Sequence, residues 1–349
     1  MERNISNASY AAAEKLKTFD KRTLLVHVSH NDMDGFGSTH VVNKFMPERL
    51  MIQDNTNYGE IISKLTEIGY GQNINLLITD INLTMEEAQF IDENYNDWCV
   101  IDHHGTGQAV AEAYSLNYFL DTGSCGTLQT FDALNSFEYN EDINLEDVCV
   151  LINAYDIYLT DSPLFRKGML LANYVKSNSF QFKTLTHNYM TFLFDEVANF
   201  ILEHGVQETE IQYQRLFLNY LKTLNSKANG IVKEPELIPS NVQVAMLHEP
   251  LIRNKITFAN DKFVIFENVS TSITQYVNEL LFEKEFANKV LINLNKKGFV
   301  AFRSINEQAS KYAVLAGGGG HPNAGGANLN LEKDEDGRLK LLGLINSKE

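Results

Sequence analysis

The sequence contains no long apolar segment and only three cysteines among its 349 residues. No apolar run approaches the roughly 20 residues that a transmembrane helix needs, so we expect a protein without a membrane span. The amino-terminal residues carry charges throughout and lack the apolar core of a secretory signal. Cys99, Cys125 and Cys149 are well separated and form no CxxC pair. This pattern favours buried thiols in a reducing compartment over disulfides or structural zinc, and it predicts a cytoplasmic protein.

Positive charge is also scarce in this chain. The 29 Lys and Arg residues face 45 Asp and Glu residues, and the formal net charge is −16. A protein that follows a long nucleic-acid backbone normally presents a face rich in Lys and Arg, whereas the longest basic cluster here is Lys296-Lys297. We therefore expect a small anionic substrate and no long duplex nucleic acid as a partner. The acidity is also compatible with a role in solubility alone.

Apolar segments of strand length alternate with helical segments in the first part of the chain. Candidate strands cover 24–28, 74–78 and 98–101, and helix-forming sequence follows the first two at about 35–45 and 85–94. Strands separated by helices form parallel sheets through right-handed crossovers. The sequence therefore predicts the α/β class, with a parallel-sheet amino-terminal domain.

The length exceeds what one hydrophobic core usually spans, so we expect more than one domain. Two prolines, Pro235 and Pro239, mark the best candidate boundary. We predict an amino-terminal catalytic domain over 1–184, a helical connector over 185–239 and a smaller α/β substrate-binding domain over 240–349. The elements expected in the last domain are strands at 242–247 and 262–266, a helix at about 272–286, a hairpin of 289–295 with 298–303, and a helix at 307–316.

Metal-binding side chains follow each of the three candidate strands. A buried strand ends on adjacent carboxylates and imidazoles at a high desolvation cost, which a bound ion usually offsets. The carboxyl ends of parallel strands are also where open α/β sheets bind their ligands. The residues in question are His30, Asp32 and Asp34 after the first strand, Asp80 after the second, and Asp102, His103 and His104 after the third.

The number of carboxylates favours a centre with two metal ions. A lone Asp32-x-Asp34 pair is also explained as a turn that caps a helix. That explanation does not account for Asp80, His103 and Asp156, the last on a helix predicted from its apolar spacing. Asp80, which has no acidic neighbour, is the natural bridging ligand. Oxygen-rich sites with histidine suit Mn²⁺ or Mg²⁺, and the reaction class that such a pair of ions supports is phosphate ester hydrolysis.

Further residues are candidates for phosphate binding. His104 either contacts substrate or is a structural histidine beneath its loop, and the adjacent segment 105–107, Gly-Thr-Gly, favours substrate contact. The glycine run at 317–320 would by itself indicate only a flexible turn. Together with a following histidine and an arginine at the end of a hairpin, it predicts backbone amides, imidazole and guanidinium that converge on phosphate. These residues are Arg303, Gly318, Gly319, Gly320 and His321.

Five segments carry a family resemblance. They are SHNDMDG (29–35), LITD (77–80), VIDHH (100–104), AYD (154–156) and GGGGH (317–321). In this order and spacing they cover nearly the whole chain, which resembles the DHH phosphoesterase family with its carboxyl-terminal DHH-associated domain. Among the branches of that family, the segments are most similar to those of the NrnB-type oligoribonucleases, or nanoRNases.

The resemblance implies a set of roles for the residues named above. It implies two Mn²⁺ ions, with Mg²⁺ as a substitute, where His30, Asp32 and Asp80 surround one ion. Asp34, Asp80, His103 and Asp156 surround the other. It further implies that Arg303 and His321 capture substrate. The residues expected to be catalytic are Asp80, His103 and His104.

We therefore expect a manganese-dependent phosphodiesterase that hydrolyses short oligoribonucleotides to mononucleotides, in a cleft between the two domains. A cyclic mono- or dinucleotide, or a 3′,5′-bisphosphonucleoside, would suit the same ions and phosphate-binding groups, so both remain alternative substrates. A nucleotide-binding regulator is the alternative from another class, and it is disfavoured because a pure binding module has little reason to retain a repulsive acidic cluster. Expected partners are a short oligonucleotide or small nucleotide, with no membrane, and a homodimer is left open.

Overall fold

The computed structural model describes residues 5–136, 143–182, 186–238, 240–269, 271–332 and 335–347. The chain forms two compact units. The first comprises Met1–Lys176 and Met190–Tyr213, and the second comprises Ser177–Tyr189 and Gln214–Glu349. The domain limits expected at 184 and 239 stay a prediction.

A five-stranded parallel sheet lies at the centre of the first unit. Its strands, in sheet order β2-β1-β3-β4-β5, are all parallel to their neighbours. The interiors of β1, β3 and β4 are continuously buried, as expected where helices cover both faces of a sheet. The expected α/β class is therefore confirmed. The strands are β1 (Leu25–His30), β2 (Met51–Thr56), β3 (Asn75–Thr79), β4 (Asp97–Asp102) and β5 (Tyr118–Leu120).

Helices connect and cover these strands. Local signals set their ends: α4 begins after Thr84, whose hydroxyl accepts a hydrogen bond from the Glu87 amide while the Glu87 carboxylate accepts one from the Thr84 amide. The same helix buries Ala88 and Ile91 against the sheet. The helices of this part are α1 (Asn7–Lys17), α2 (Met33–Phe45), α3 (Ile61–Ile68), α4 (Met85–Asn94), α5 (Gln108–Ala113), α6 (Gly126–Asn135), α7 (Ile143–Asp156) and α8 (Phe165–Phe182).

The segment after α8 is helical, in agreement with its sequence pattern. Helix α9 (Thr186–Thr191) leads through a π-helical turn, Phe192–Val197, into α10 (Ala198–Lys227). Helix α10 is kinked at Gly205, where φ is 81°. A short 3₁₀ turn, Pro235–Leu237, follows it.

A six-stranded mixed sheet organises the second unit. Its order is β10-β11-β9-β8-β7-β6, and only the β7–β8 pairing is parallel. The hairpin expected near 289–303 is confirmed as the antiparallel pair β8 and β9. The strands are β6 (Ile256–Ala259), β7 (Phe263–Glu267), β8 (Val290–Leu294), β9 (Phe299–Arg303), β10 (Gly319–His321) and β11 (Ala324–Asn328). The helices are α11 (Ser240–Arg253), α12 (Thr271–Leu281), α13 (Ala309–Leu315) and α14 (Gly337–Asn346).

The strand expected at 242–247 is wrong, because this segment lies within helix α11. Its alternating letters Val-Gln-Val-Ala-Met resemble a half-buried strand over a few residues. The buried positions, however, include the adjacent pairs Val244 with Ala245 and His248 with Glu249, which lie four residues apart as on one face of a helix. Over so short a window the two periods cannot be separated.

Two further expectations are that the cysteines are buried thiols and that the chain has no membrane span. Cys99, Cys125 and Cys149 are buried and carry free thiols. Within the described part of the chain, we find no helix that is both long enough and apolar enough to cross a bilayer.

Candidate metal centre

The candidate metal ligands meet at one edge of the parallel sheet. Strand β1 ends at His30, Asp80 directly follows β3, and β4 ends at Asp102 before His103. The sheet order reverses between β1 and β3, so the connections leave these two strands on opposite sides. A crevice outside the carboxyl ends of strands at such a reversal is where doubly wound sheets bind ligands.

Asp32 both caps helix α2 and faces the site. Its Oδ1 accepts a hydrogen bond from the Gly35 amide at 3.0 Å, so the capping explanation of this residue holds. Its Oδ2 lies 2.9 Å from Nδ1 of His30, the last residue of β1. One carboxylate therefore anchors the start of α2 with one oxygen and reaches the cluster with the other.

Asp34 is buried and held by the start of helix α6. Its Oδ2 accepts a hydrogen bond from the Gly126 amide at 2.7 Å, and its Oδ1 accepts one from the Thr127 amide at 2.8 Å. The positive end of the α6 dipole thus stabilises this carboxylate. A Cβ atom at Gly126 would lie 2.7 Å from Cβ of Asp80, so only glycine allows the helix to approach this closely. The sequence analysis did not identify Gly126.

Asp80 occupies the middle of the cluster. Its backbone is left-handed, with φ of 58°, and its side chain is buried. Oδ1 lies 3.1 Å from Nε2 of His103, whereas the buried Oδ2 accepts no hydrogen bond from the described residues. A buried carboxylate oxygen without a donor is costly unless a cation binds it.

The structure brings the expected ligands together in overlapping groups. The metal-binding atoms within each group lie within 4.8 Å of one another, and Asp80 belongs to two of the three groups. Nε2 of His103 is also 3.5 Å from an oxygen of Asp34 and 3.5 Å from an oxygen of Asp156. The groups are His30 with Asp32 and Asp80, Asp34 with His103 and Asp156, and Asp80 with His103 and His104.

These donors fit divalent cations that prefer oxygen. The cluster combines four carboxylates with imidazole nitrogen and has no thiolate, which suits Mn²⁺ or Mg²⁺ better than softer metals. The unbonded Oδ2 of Asp80, placed between the groups, is the atom that a cation would satisfy.

Burial and mutual repulsion shift the pKa values of the groups in the cluster. Burial, together with the negative charges of Asp34 and Asp32, raises the pKa of Asp80 well above its usual range and that of Asp156 to about 8. Burial raises the pKa of Asp32 as well, but the hydrogen bond and charge of His30 outweigh it and the net shift is downward. Burial lowers the pKa of His103, which favours the neutral imidazole that binds metals.

His104 belongs to a hydrogen-bonded chain beside the cluster. Its Nδ1 lies 2.7 Å from Oδ1 of the buried Asp102, whose Oδ2 accepts a 2.6 Å hydrogen bond from the Tyr118 hydroxyl. Its Nε2 lies 2.7 Å from the hydroxyl of Tyr58. Burial lowers the pKa of His104, but the bond to Asp102 outweighs burial and the net shift is upward. One ring nitrogen is therefore held by Asp102, and the other contacts the Tyr58 hydroxyl.

Tyr58 is a site residue that the sequence analysis missed. It follows β2, whose sequence Met-Ile-Gln-Asp-Asn-Thr lacks the apolar run by which the other strands were recognised. The turn sequence Asn-Tyr-Gly-Glu at 57–60 is the feature that could have indicated a loop after a strand here.

A buried polar network supports the strands under the site. His27 is fully buried, and its Nε2 lies 2.9 Å from the Thr79 hydroxyl while Gln53 reaches its Nδ1 at 3.1 Å. Thr79 in turn donates to the Ser29 hydroxyl at 2.8 Å. Burial lowers the pKa of His27 to about 3, so the ring stays neutral and acts as a structural link between β1 and β3.

The expected phosphate-binding residues of the second unit share one sheet face. Ala324 of β11 pairs with Arg303 of β9 and also with His321 of β10. Residues directly opposite one another in antiparallel strands project to the same face, so Arg303 and His321 lie in one row. His321 is exposed, whereas Arg303 is half-buried and burial lowers its pKa.

The glycines of this region have a packing role. A Cβ atom at Gly318 would lie 2.0 Å from the Gly326 carbonyl oxygen, and one at Gly320 would lie 2.4 Å from the Ala324 carbonyl oxygen. Both glycines therefore permit β10 to pack against β11. Gly319 has no such neighbour within 4 Å, so the role expected for these glycines in phosphate binding stays a prediction.

Comparisons with known proteins bear on the fold. No protein-family model matches the sequence, and no curated protein matches it. An uncharacterized protein from Helicobacter pylori G27 superposes with a TM-score of 0.72 and 22% identity, over 93% of this chain and 98% of that one.

Two further structures align much more loosely. RecJ in complex with Mn²⁺ from Thermus thermophilus has a TM-score of 0.36 and 13% identity, over 99% of this chain and 55% of its own. An exopolyphosphatase-related protein from Bacteroides fragilis has a TM-score of 0.34 and 13% identity, over 99% of this chain and 98% of its own. Superpositions this loose carry no argument about chemistry. The chain thus shares its fold with the Helicobacter pylori protein, and its chemistry must be inferred from the cluster around Asp80.

Proposed function

We propose that this chain is a manganese-dependent phosphodiesterase of the DHH phosphoesterase family, which hydrolyses short oligoribonucleotides to mononucleotides in the manner of the nanoRNases. The observation that carries the proposal is the position of Asp80, a buried carboxylate shared by two groups of metal-binding side chains with one oxygen that accepts no hydrogen bond from the described residues. A bridging carboxylate of this kind is characteristic of centres with two metal ions.

Each side chain of the cluster has a role in the proposed reaction. His30 and Asp32 would hold one ion, Asp34, His103 and Asp156 the other, and Asp80 both. Bound ions supply an activated water and neutralise charge on the phosphoryl oxygens. The Gly126 and Thr127 amides at the start of α6 hold both carboxylate oxygens of Asp34 in a fixed orientation.

His104 is proposed to contact the substrate phosphate. Asp102 holds its Nδ1, and the Tyr118 hydroxyl holds Asp102, so the orientation of the imidazole is set before substrate arrives. Nε2, which lies 2.7 Å from the Tyr58 hydroxyl, would exchange that contact for a hydrogen bond to a phosphoryl oxygen. In the second unit, we propose that Arg303 and His321 bind phosphate from their shared sheet face, because guanidinium and imidazole groups both donate to phosphate oxygens.

Product release from a dinucleotide tests the proposal. Metal-stripped protein should release mononucleotides from a labelled diribonucleotide after addition of Mn²⁺, and neither the stripped protein nor Asp80→Asn should do so. A cyclic dinucleotide assayed in parallel identifies the alternative substrate class. Binding of nucleotide and metal without product from any linear or cyclic substrate would overturn the enzymatic assignment in favour of a nucleotide-binding regulator.

A further inference from the structure

Tyr58 lies against the candidate metal centre on an ordered turn. The turn covers 57–60, where the Glu60 amide donates to the Asn57 carbonyl oxygen at 3.2 Å. The Asn57 side chain also donates to the Glu60 carboxylate at 2.9 Å. Gly59 has φ of 74°, as a type II turn requires at its third position, and a Cβ atom there would meet nothing within 4 Å. The turn therefore presents Tyr58 from a defined backbone with open space beside it.

The tyrosine ring is held at two places. Its hydroxyl lies 2.7 Å from Nε2 of His104, and its ring lies 4.3 Å from the His30 ring between centroids, at an interplanar angle of 33°. The His104 ring meets it edge-on at 5.2 Å. One end and one face of the tyrosine are thus occupied by the residues around the centre.

Among the described residues, the Tyr58 ring makes no aromatic contact beyond those with His30 and His104. Tyr58 as a residue is 42% exposed although its hydroxyl and ring are held by the two histidines. An aromatic face that is already oriented costs little conformational entropy when a planar ligand stacks on it. Stacking of a base on an aromatic side chain contributes about 1–3 kcal/mol and tolerates any base.

We propose that the exposed face of Tyr58 is the stacking surface for the nucleobase next to the phosphate that is cleaved. The inference rests on the proposed function and adds to it the residue that binds the base of the substrate. The phosphate would lie at the metal cluster and His104, while the base lies on the tyrosine a few ångströms away.

Two ligands that differ only in the base test this assignment. Calorimetry on the manganese-loaded full chain measures the affinity for adenosine 5′-monophosphate and for ribose 5-phosphate, neither of which contains a phosphodiester bond. Tyr58→Leu should lower the affinity for adenosine 5′-monophosphate by about 5- to 150-fold, which corresponds to the loss of one stacked base. Relative to Tyr58→Phe, which lacks the same hydroxyl beside His104, it should leave the affinity for ribose 5-phosphate unchanged.

Two further variants distinguish the ring from its hydroxyl. Tyr58→Phe keeps the ring and should retain adenosine binding within a few-fold. Tyr70→Leu, at a tyrosine of similar exposure that packs on Phe90, should bind both ligands like wild type. Equal losses for Tyr58→Phe and Tyr58→Leu, or equal losses for both ligands, would overturn the stacking assignment and make Tyr58 a positioning residue for His104.

The outcome is separable from that of the proposed function. Hydrolysis of dinucleotides by a wild-type protein that binds the two ligands equally well would refute the stacking surface and leave the phosphodiesterase. A base-dependent effect of Tyr58 in a protein that hydrolyses no dinucleotide would support the stacking surface and refute the phosphodiesterase.

Discussion

Replacing Gly126 by alanine should weaken metal binding although it removes no ligand. The added Cβ would lie 2.7 Å from Cβ of Asp80 and 3.1 Å from Oδ2 of Asp34. The Cα of Asp80 is also 3.1 Å away, so the neighbours are backbone and the base of a side chain, which cannot rotate out of the way. Either the start of α6 or Asp80 must therefore move. The start of α6 orients Asp34 and Asp80 is itself a proposed ligand, so either movement would displace a ligand.

The expected magnitudes separate metal binding from folding. Alanine is favoured over glycine in a helix by up to about 1 kcal/mol, whereas overpacking a buried site costs about 1–3 kcal/mol. The free energy of unfolding should therefore fall by no more than about 3 kcal/mol, and the fold should survive. Misplacing residues that orient metal ligands typically costs about 10- to 100-fold in affinity, equivalent to about 1.4–2.7 kcal/mol.

The assay is a calorimetric titration of Mn²⁺ into metal-stripped protein, with thermal unfolding measured on the same samples. Gly71→Ala is the matched control, because a Cβ atom at Gly71 would meet nothing within 4 Å. We expect wild-type affinity for the control and a weaker site in Gly126→Ala. Wild-type affinity in Gly126→Ala would refute the packing argument, since it would show that α6 can retreat without disturbing Asp34 and Asp80.

Four further predictions follow from the site and the charge. Asp80→Asn should lose turnover and manganese binding while circular dichroism shows an intact fold, because the shared carboxylate is gone. Arg303→Ala and His321→Ala should each raise KM or lower kcat on a dinucleotide and leave calorimetric manganese affinity unchanged. The metal-free protein should lose thermal stability as pH rises from about 5 to about 8, and Asp156→Asn should flatten this slope. Folded Asp156 keeps its proton up to a pKa of about 8, while unfolded Asp releases it near its ordinary value of 3.8. Finally, kcat/KM measured on a length series should be greatest for oligonucleotides of about two to five residues, because the net charge of −16 offers no extended basic track.

Each of these has an outcome that would contradict it. Full turnover by Asp80→Asn would refute the shared ligand, and loss of manganese from Arg303→Ala would show that this residue acts at the metal site. A metal-free melting temperature that rises between about pH 5 and pH 8 would reverse the sign expected for a raised carboxylate pKa. Efficient processive digestion of the longest oligonucleotide would refute the preference for short substrates.

The parts of the fold that were predictable are those with strong local patterns. Strands β1, β3 and β4 are mostly apolar and continuously buried, and each is followed within a few positions by polar residues of the cluster. Parallel packing alone then places His30, Asp80 and His103 at one edge. Helix α4 was predictable to its ends because Thr84 and its capping partner mark the start.

The parts that escaped prediction depend on distant contacts or weak patterns. Strand β2 lies at the edge of its sheet, so much of it is only half-buried, and its polar sequence gives no periodic signal. Tyr58 was missed with it. The hydrogen bonds that the Gly126 and Thr127 amides donate to Asp34 join residues about 90 positions apart. A local sequence pattern cannot predict such a contact.

The left-handed backbone at Asp80 narrows what evolution or selection can place there. Gly, Asn and Asp adopt φ near 58° most readily, whereas other side chains bring Cβ close to the backbone at a cost of about 1–2 kcal/mol. Glutamate would keep the charge but strain the left-handed backbone. Asparagine would adopt the backbone but lack the charge, and glycine would lack a side chain that can bind metal. Randomising codon 80 and selecting for activity should therefore return aspartate, while selecting only for folded protein should enrich asparagine and glycine beside it.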